Sequence, residues 1–301
     1  MIEFNRIYVI ESLPEGDEKT GTQLHNDLLR WLEYRYSGFK SVLLEPCNKK
    51  DWNEKMTSIQ EDAEQGISPI IHFEIHGSTN KDGLVLASGE LVTWYEMRMH
   101  LESINIASRM NLFVSLAVCH GAYLLTQYKL DQRAFCYGVL GSFDVLPVDD
   151  LKIRFFEFYQ ELFDTFSIPK AYQKLLNSNP DVQVDYECIS ALEIFYKNYR
   201  NYILTQVEDP ERVKERALKA AEESGLVLIT PTMKESFQQD FANELHKTKD
   251  QFYQEHSTKF LLLDMFPERR AEFNIPETLA EFMQMKVIPQ NYIENGNKRE
   301  S

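Results

Sequence analysis

The chain has 301 residues, 43% of them hydrophobic and 12% aromatic; this is too apolar for a disordered chain and enough for one large domain, or for a domain of about 200 residues with a smaller companion. A formal net charge of −15 leaves no surplus of Lys and Arg, overall or in any run, to neutralise phosphates, so nucleic acid is not an expected partner. No apolar run approaches the ~20 residues of a membrane span, the start Met1-Ile2-Glu3-Phe4-Asn5-Arg6-Ile7 has no basic segment leading into a long apolar one, and Cys47, Cys119, Cys136 and Cys188 form neither a disulfide framework nor paired C-x-x-C zinc ligands; a cytoplasmic protein with reduced thiols and no cofactor is expected.

The first half alternates strand and helix. Arg6 to Ile10 is a short apolar strand, and Gly21 and Thr22 open an amphipathic helix through Leu24, Leu28, Leu29, Leu32 and Tyr36 that ends at Gly38. Ser41 to Leu44 is a second strand, and a helix from about Asp51 to Ala63 leads to a third strand, which ends at His76. The order β-α-β-α-β implies a parallel sheet, and the fold class is α/β: a mostly parallel sheet flanked by helices. Gly83 to Val92 has a small-residue turn between short apolar runs, as in a β-hairpin, and a helix from about Thr93 to Ser103 returns the chain to the strand that ends at Cys119. Leu124 to Leu130 continues as helix and Ala134 to Ser142 as strand; Asp149 or Asp150 caps a helix through Phe155, Phe156, Phe158, Tyr159 and Phe163, and Pro169 starts another.

From about Asn201 the pattern is helical. Glu208-Asp209-Pro210-Glu211-Arg212-Val213 is a helix start, with proline in the first turn and acidic residues complementing the dipole. Further helices are expected around Thr232–His256 and Pro276–Lys286. Leu226 to Pro231 is either one strand or a buried connector, and Asn291 to Ser301 forms a frayed end. The organisation expected is a domain over residues 1–200 followed by a mostly helical extension over 201–301 that regulates it or binds partners.

Two hydrophobic runs end in reactive side chains close to glycine. They are Pro69-Ile70-Ile71-His72-Phe73-Glu74-Ile75-His76-Gly77 and Leu112-Phe113-Val114-Ser115-Leu116-Ala117-Val118-Cys119-His120-Gly121. Each reads as a buried strand delivering a side chain to its carboxyl end, the edge at which open α/β sheets bind ligands. Two such strands side by side bring a His and a Cys to one crevice. A free thiol has a pKa near 8.5, so a nearby imidazole is needed to raise its thiolate fraction or to take its proton as it attacks.

With these residues in this order, the chain resembles the caspase-like cysteine proteases, and most closely their CHAT branch. The resemblance covers about residues 1–200. It rests on His76-Gly77 at a strand end, the hairpin Gly83-Leu84-Val85-Leu86 with Gly89-Glu90-Leu91-Val92-Thr93, Ala117-Val118-Cys119, and Pro147-Val148-Asp149-Asp150 before a helix carrying Phe158-Tyr159. Caspases carry Q-A-C-[RQG]-G with a His ~50 residues upstream; here the stretch is Ala117-Val118-Cys119-His120-Gly121, and His76 stands 43 positions before Cys119. Ala117, Val118 and His120 depart from that signature without removing a catalytic atom, and they bear on substrate preference.

The resemblance implies an endopeptidase acting on a protein substrate, in regulated proteolysis such as bacterial defence or cell death. It also implies Cys119 as nucleophile, His76 as the acid that protonates the leaving amine, and the backbone N–H groups of Gly77 and Cys119 as the oxyanion hole. Glycine after His76 lets substrate approach that amide closely. His120 is not expected to act, because successive side chains point apart. His72, Glu74 and His76 share one strand face; His72 and Glu74 are candidates to orient the imidazole from behind, and no metal is expected. Asp144 is the candidate pocket acid that would favour a basic or neutral substrate residue. Two other readings remain: a catalytically silent caspase-like scaffold that binds partner proteins, and a metal-dependent hydrolase using His72, His76 and Cys119, for which no H-E-x-x-H spacing exists.

Overall fold

The computed structural model describes residues 3–285 and divides them into two compact units. The first, residues 3–129 and 134–191, is an α/β unit. In chain order it contains β1 (Arg6–Ser12), α1 (Thr20–Leu24), a π-helical segment His25–Leu29, α2 (Arg30–Arg35), β2 (Lys40–Leu44), α3 (Lys49–Glu64), β3 (Pro69–Gly77), β4 (Gly83–Val85), β5 (Leu91–Thr93), α4 (Trp94–Ala107), β6 (Phe113–Leu116), a 3₁₀ segment Gly121–Gln127, β7 (Gly138–Ser142), α5 (Val148–Thr165), α6 (Ile168–Asn177) and β8 (Tyr186–Ser190).

The sheet runs β2-β1-β3-β6-β7-β8. It is parallel except for β8, which pairs antiparallel with β7, and the β4–β5 hairpin, which is attached to the end of β3. A strand buried on both faces reads as a nearly continuous apolar run, and β3 is one. Its odd positions Ile71, Phe73 and Ile75 pack with Trp52, Met56 and Ile59 of α3 and with Met97, Leu101 and Ile104 of α4. On the other face His72 meets the rings of Phe155 and Tyr159 from α5.

Local signals explain most boundaries. Asn48 caps α3 by accepting from Asp51 N, and Thr93 with Glu96 closes a reciprocal capping box on α4, so each helix satisfies donors that its first turn leaves open. The start of α5 differs from expectation. Pro147 is its N-cap, while Asp149 and Asp150 lie in its first turn. Asp149 pairs with Lys152 at 2.6 Å, whereas Asp150 is fully buried and holds Arg154 at 2.6 Å.

Arg154 also donates to the carbonyls of Leu175, Leu176, Asn179 and Val182, tying the end of α6 and the following turn to α5. The strand after Cys119 begins at Gly138 and not at Ala134, and the helix expected from Leu124 is the 3₁₀ turn at Gly121–Gln127. The antiparallel strand β8 was not expected, because Tyr186-Glu187-Cys188-Ile189-Ser190 is short and has no long apolar run.

The second unit, residues 130–133 and 192–285, is helical. It takes in most of α7 (Ala191–Tyr202), a π-helical segment Ile203–Val207, α8 (Pro210–Glu223), α9 (Pro231–Phe260), α10 (Arg269–Glu272) and α11 (Leu279–Gln284). Asp209 caps α8 with Pro210 in its first turn, and Thr230 caps α9. Phe195, Tyr199, Tyr253, Phe260 and Phe282 build its aromatic centre. Leu226 to Pro231 is neither a strand nor buried: Val227 is 71% and Ile229 78% exposed. Lys286 and the stretch from Asn291 to Ser301 lie outside the described residues. Among the described residues no helix is long and apolar enough to cross a membrane.

Removing one partner of a buried ion pair leaves an uncompensated charge. Arg154→Ala is therefore expected to lower stability by about 3–5 kcal/mol, measured by urea unfolding, while Asp149→Ala at the exposed neighbour stays within about 0.5 kcal/mol.

Candidate functional site

The strand order reverses between β1 and β3. The chain leaves β1 for β2 on one side and returns to β3 on the other, so the carboxyl ends of β1 and β3 form the switch point, the position at which open α/β sheets take ligands. The loop after β1 is residues 13–19, β3 ends in His76-Gly77, and the segment after β6 carries Cys119.

Register carries the ends of β3 and of the segment after β6 to the same edge. β3 pairs with β6 from Ile70 opposite Phe113 to Phe73 opposite Leu116, an offset of 43 positions that is also the separation of His76 and Cys119. Ala117 N continues the ladder by donating to Phe73 O at 3.0 Å. Beyond that point the two backbones touch. A Cβ placed on Gly77 would lie 1.7 Å from the Cys119 carbonyl oxygen and 2.8 Å from its carbon, so only glycine permits this approach.

The segment from Phe143 to Leu146 wraps the turn at Cys119. Leu146 N donates to Cys119 Sγ at 3.3 Å, and Sγ lies 4.0 Å from Leu146 O. His120 has a φ of 61°; its N donates to Asp144 O at 2.9 Å and its Nδ1 to Phe143 O at 2.7 Å. The imidazole of His120 thus holds the loop. The Cys119 N–H has no acceptor among the described residues.

His76 is 51% exposed, and its Nε2 lies 2.7 Å from Asp17 Oδ2. Asp17 was not among the residues expected from the sequence. It ends the turn Pro14-Glu15-Gly16-Asp17, in which Asp17 N donates to Pro14 O at 3.3 Å and Gly16 takes a φ of 99°, the glycine position of a type II turn. The available signal was topological: a loop leaving β1 in a 2-1-3 strand order ends up beside the loop leaving β3.

His72 and Glu74 do not orient His76. Both are buried on the inner face, His72 with Nδ1 at 3.1 Å from Ser115 Oγ and Nε2 at 3.0 Å from Glu74 Oε1, while Glu74 Oε2 accepts from Thr20 Oγ1 at 2.7 Å. They share the strand face of His76, but it lies past the edge of the sheet and they lie under α1 and α5. Both His72 nitrogens are therefore occupied. Among the described residues no three His, Cys, Asp or Glu side chains converge as metal ligands.

Asp144 is exposed beside His120. Its Oδ2 accepts from Asp185 N at 2.9 Å, its N–H donates to Ser142 Oγ at 3.0 Å, and Oδ1 has no partner among the described residues. Its first role is to fasten the loop to the start of β8. Lys81, across the hairpin, donates to Tyr123 Oη at 3.3 Å and sits 5.2 Å from the centre of that ring. The other thiols differ in setting: Cys47 is exposed, Cys188 half-buried and Cys136 buried, and burial pushes the Cys136 thiol up to about 12.

No family model matches this chain, and no curated protein does.

Two outcomes follow from the geometry. Gly77→Ala is expected to destabilise the fold by about 3 kcal/mol or more, because the obstacle is backbone that cannot turn aside; thermal unfolding against the exposed Thr79→Ala control measures it. Iodoacetamide at neutral pH is expected to label Cys119 and Cys47 and to spare Cys136, since thiolate character and access both control alkylation; peptide mass mapping that finds Cys136 labelled first would contradict this picture.

Proposed function

We propose that this protein is a cysteine endopeptidase of the caspase-like kind, working through Cys119 and His76. The observation that supports it most is the meeting of the β3 and β6 ends at the switch-point edge, with Gly77 against the Cys119 carbonyl and the Cys119 amide unengaged among the described residues. An uncommitted amide at a nucleophile is what an oxyanion needs.

In this mechanism Cys119 Sγ gives up its proton to His76 and attacks the peptide carbonyl carbon. The carbonyl π electrons move onto oxygen, held by the N–H groups of Cys119 and Gly77. As the tetrahedral intermediate collapses, the C–N bond breaks and His76 protonates the departing amine, leaving an acyl group on sulfur. Water, deprotonated by the same imidazole, then releases the acid and restores the thiol. Leu146 N must yield its hold on Sγ, since the apo arrangement of such sites tightens only around substrate.

The carboxylates bracketing the pair, Asp17 at His76 and Asp144 at His120, favour a basic or neutral residue before the cleaved bond. Lys81, the cation of the Gly77–Gly83 stretch, is engaged by Tyr123, and Lys19 of the loop after β1 by Leu13 O, whereas a pocket for an acidic residue calls for an Arg fork. A cytoplasmic setting goes with this reading, since all four cysteines are free. We assign the helical second unit to regulation or partner binding within regulated proteolysis, on the strength of its exposed connector at 226–229.

Cys119→Ala and His76→Ala are each expected to reduce peptide hydrolysis by ~10³-fold or more and to leave the thermal midpoint within about 2 °C, as both sit at strand ends. Full activity in Cys119→Ala would end this reading, and an inert wild type with an intact fold would favour the silent scaffold. A peptide library is expected to select Lys, Arg or neutral residues before the bond, with Lys/Arg selection weakened in Asp144→Ala. Strong selection for Asp would overturn the pocket assignment.

A further inference from the structure

We infer that Asp17 is a positioning residue for His76, making the site a Cys119–His76–Asp17 relay in which the third member comes from the first βα loop. The inference rests on the peptidase reading for its catalytic consequence and on geometry alone for the contact. A carboxylate can only accept, so the 2.7 Å contact between Asp17 Oδ2 and His76 Nε2 requires the proton to sit on Nε2 in the neutral ring. Nδ1 then carries the lone pair. It is the one atom of the ring able to take the Cys119 proton, and it has no partner among the described residues.

Without Asp17 the ring is free to adopt either tautomer and to rotate. His76 is half exposed, and neither His72 nor Glu74 touches it: His72 bonds Ser115 and Glu74, and Glu74 bonds Thr20. Among the described residues, Asp17 is the only hydrogen-bond partner of the His76 side chain.

The loop bearing Asp17 is itself held in place. The Pro14–Asp17 turn closes through Asp17 N to Pro14 O, Lys19 Nζ donates to Leu13 O at 2.6 Å, and Glu18, the next residue, pairs with Lys152 of α5 at 3.0 Å. An ion pair between partly exposed side chains contributes little stability. Its place is informative: it fixes the neighbour of Asp17 against a helix of the same unit, so the carboxylate is presented from both sides of its loop.

The test uses the full chain and two readouts. The first is activity-independent: ¹⁵N-histidine NMR of the protein, with His76→Gln to assign the signal. Wild type is expected to show His76 protonated on Nε2, and Asp17→Ala a mixture of tautomers. The second is peptide hydrolysis. Asp17→Ala is expected to lose about 10–100-fold in kcat with KM changed less than about 2-fold, Asp17→Asn, which keeps an acceptor oxygen, to recover part of the loss, and Lys152→Ala to fall between wild type and Asp17→Ala.

An unchanged His76 signal in Asp17→Ala overturns the inference, as does an unchanged kcat in an active enzyme. An effect confined to KM would move Asp17 to substrate binding and overturn it likewise. Wild type that cleaves no peptide while its His76 signal still depends on Asp17 would sink the peptidase reading and leave the Asp17–His76 coupling standing.

Discussion

Gly77 lies so close to the carbonyl of Cys119 that no side chain fits between them, and the arrangement of the site depends on that contact. Parallel strands normally separate past their last ladder bond, because nothing further holds them. Here the paired register of β3 and β6 ends at Phe73 and Leu116, yet Ala117 N still donates to Phe73 O and the continuations touch at Gly77 and Cys119. The hairpin β4–β5 holds β3 extended by pairing His76 with Val85 and Gly77 with Leu84, while the Phe143–Leu146 segment holds Cys119 and His120 from the other side. The strand ends are clamped from outside, and the glycine lets the clamp close.

Beneath the edge the inner face of the sheet is polar where a core would ordinarily be apolar. Register sets Glu11 opposite Glu74, and both are buried. Such neighbours are tolerable only when the surroundings supply donors. Gly21 N, Thr22 N and Thr22 Oγ1 serve Glu11, Thr20 Oγ1 and His72 serve Glu74, and two of these donors, the Gly21 and Thr22 amides, are groups that the first turn of a helix leaves free. The start of α1 is thereby pinned onto β1 and β3. Because α1 begins one residue after Lys19, the same bonds limit where the preceding loop, and Asp17 within it, can stand.

A second anchor, the Asp150–Arg154 pair, governs the far side of the crevice. Arg154 collects four carbonyls from the end of α6 and the turn after it, while Tyr186 and Asn179 bond Asp150. That turn leads into Asp185 and β8, where Asp185 N holds Asp144. The residue read from sequence as a pocket acid is thus first a fastener, and its exposed position next to His120 follows from that duty.

Much of this was legible in the chain itself. Apolar runs with glycine after the reactive residue located β3 and the β6 segment, and Thr93, Asp209 and Pro210 marked helix starts, because strand burial and capping are local chemistry written in a few adjacent residues. The 43-residue spacing of His76 and Cys119 agreed with the pairing register, which two adjacent parallel strands of known end points determine. What the sequence could not determine lay wherever a partner came from far along the chain. Asp150 is a helix cap by local rules and a buried ion-pair member by tertiary ones. Leu226 to Ile229 has the composition of a core strand and no sheet to join. His72 and Glu74 share the strand face of His76, yet the sheet edge falls between them. Asp17 carries no signal of its own, because its meaning depends on which strand β1 lies beside, and only the folded sheet decides that.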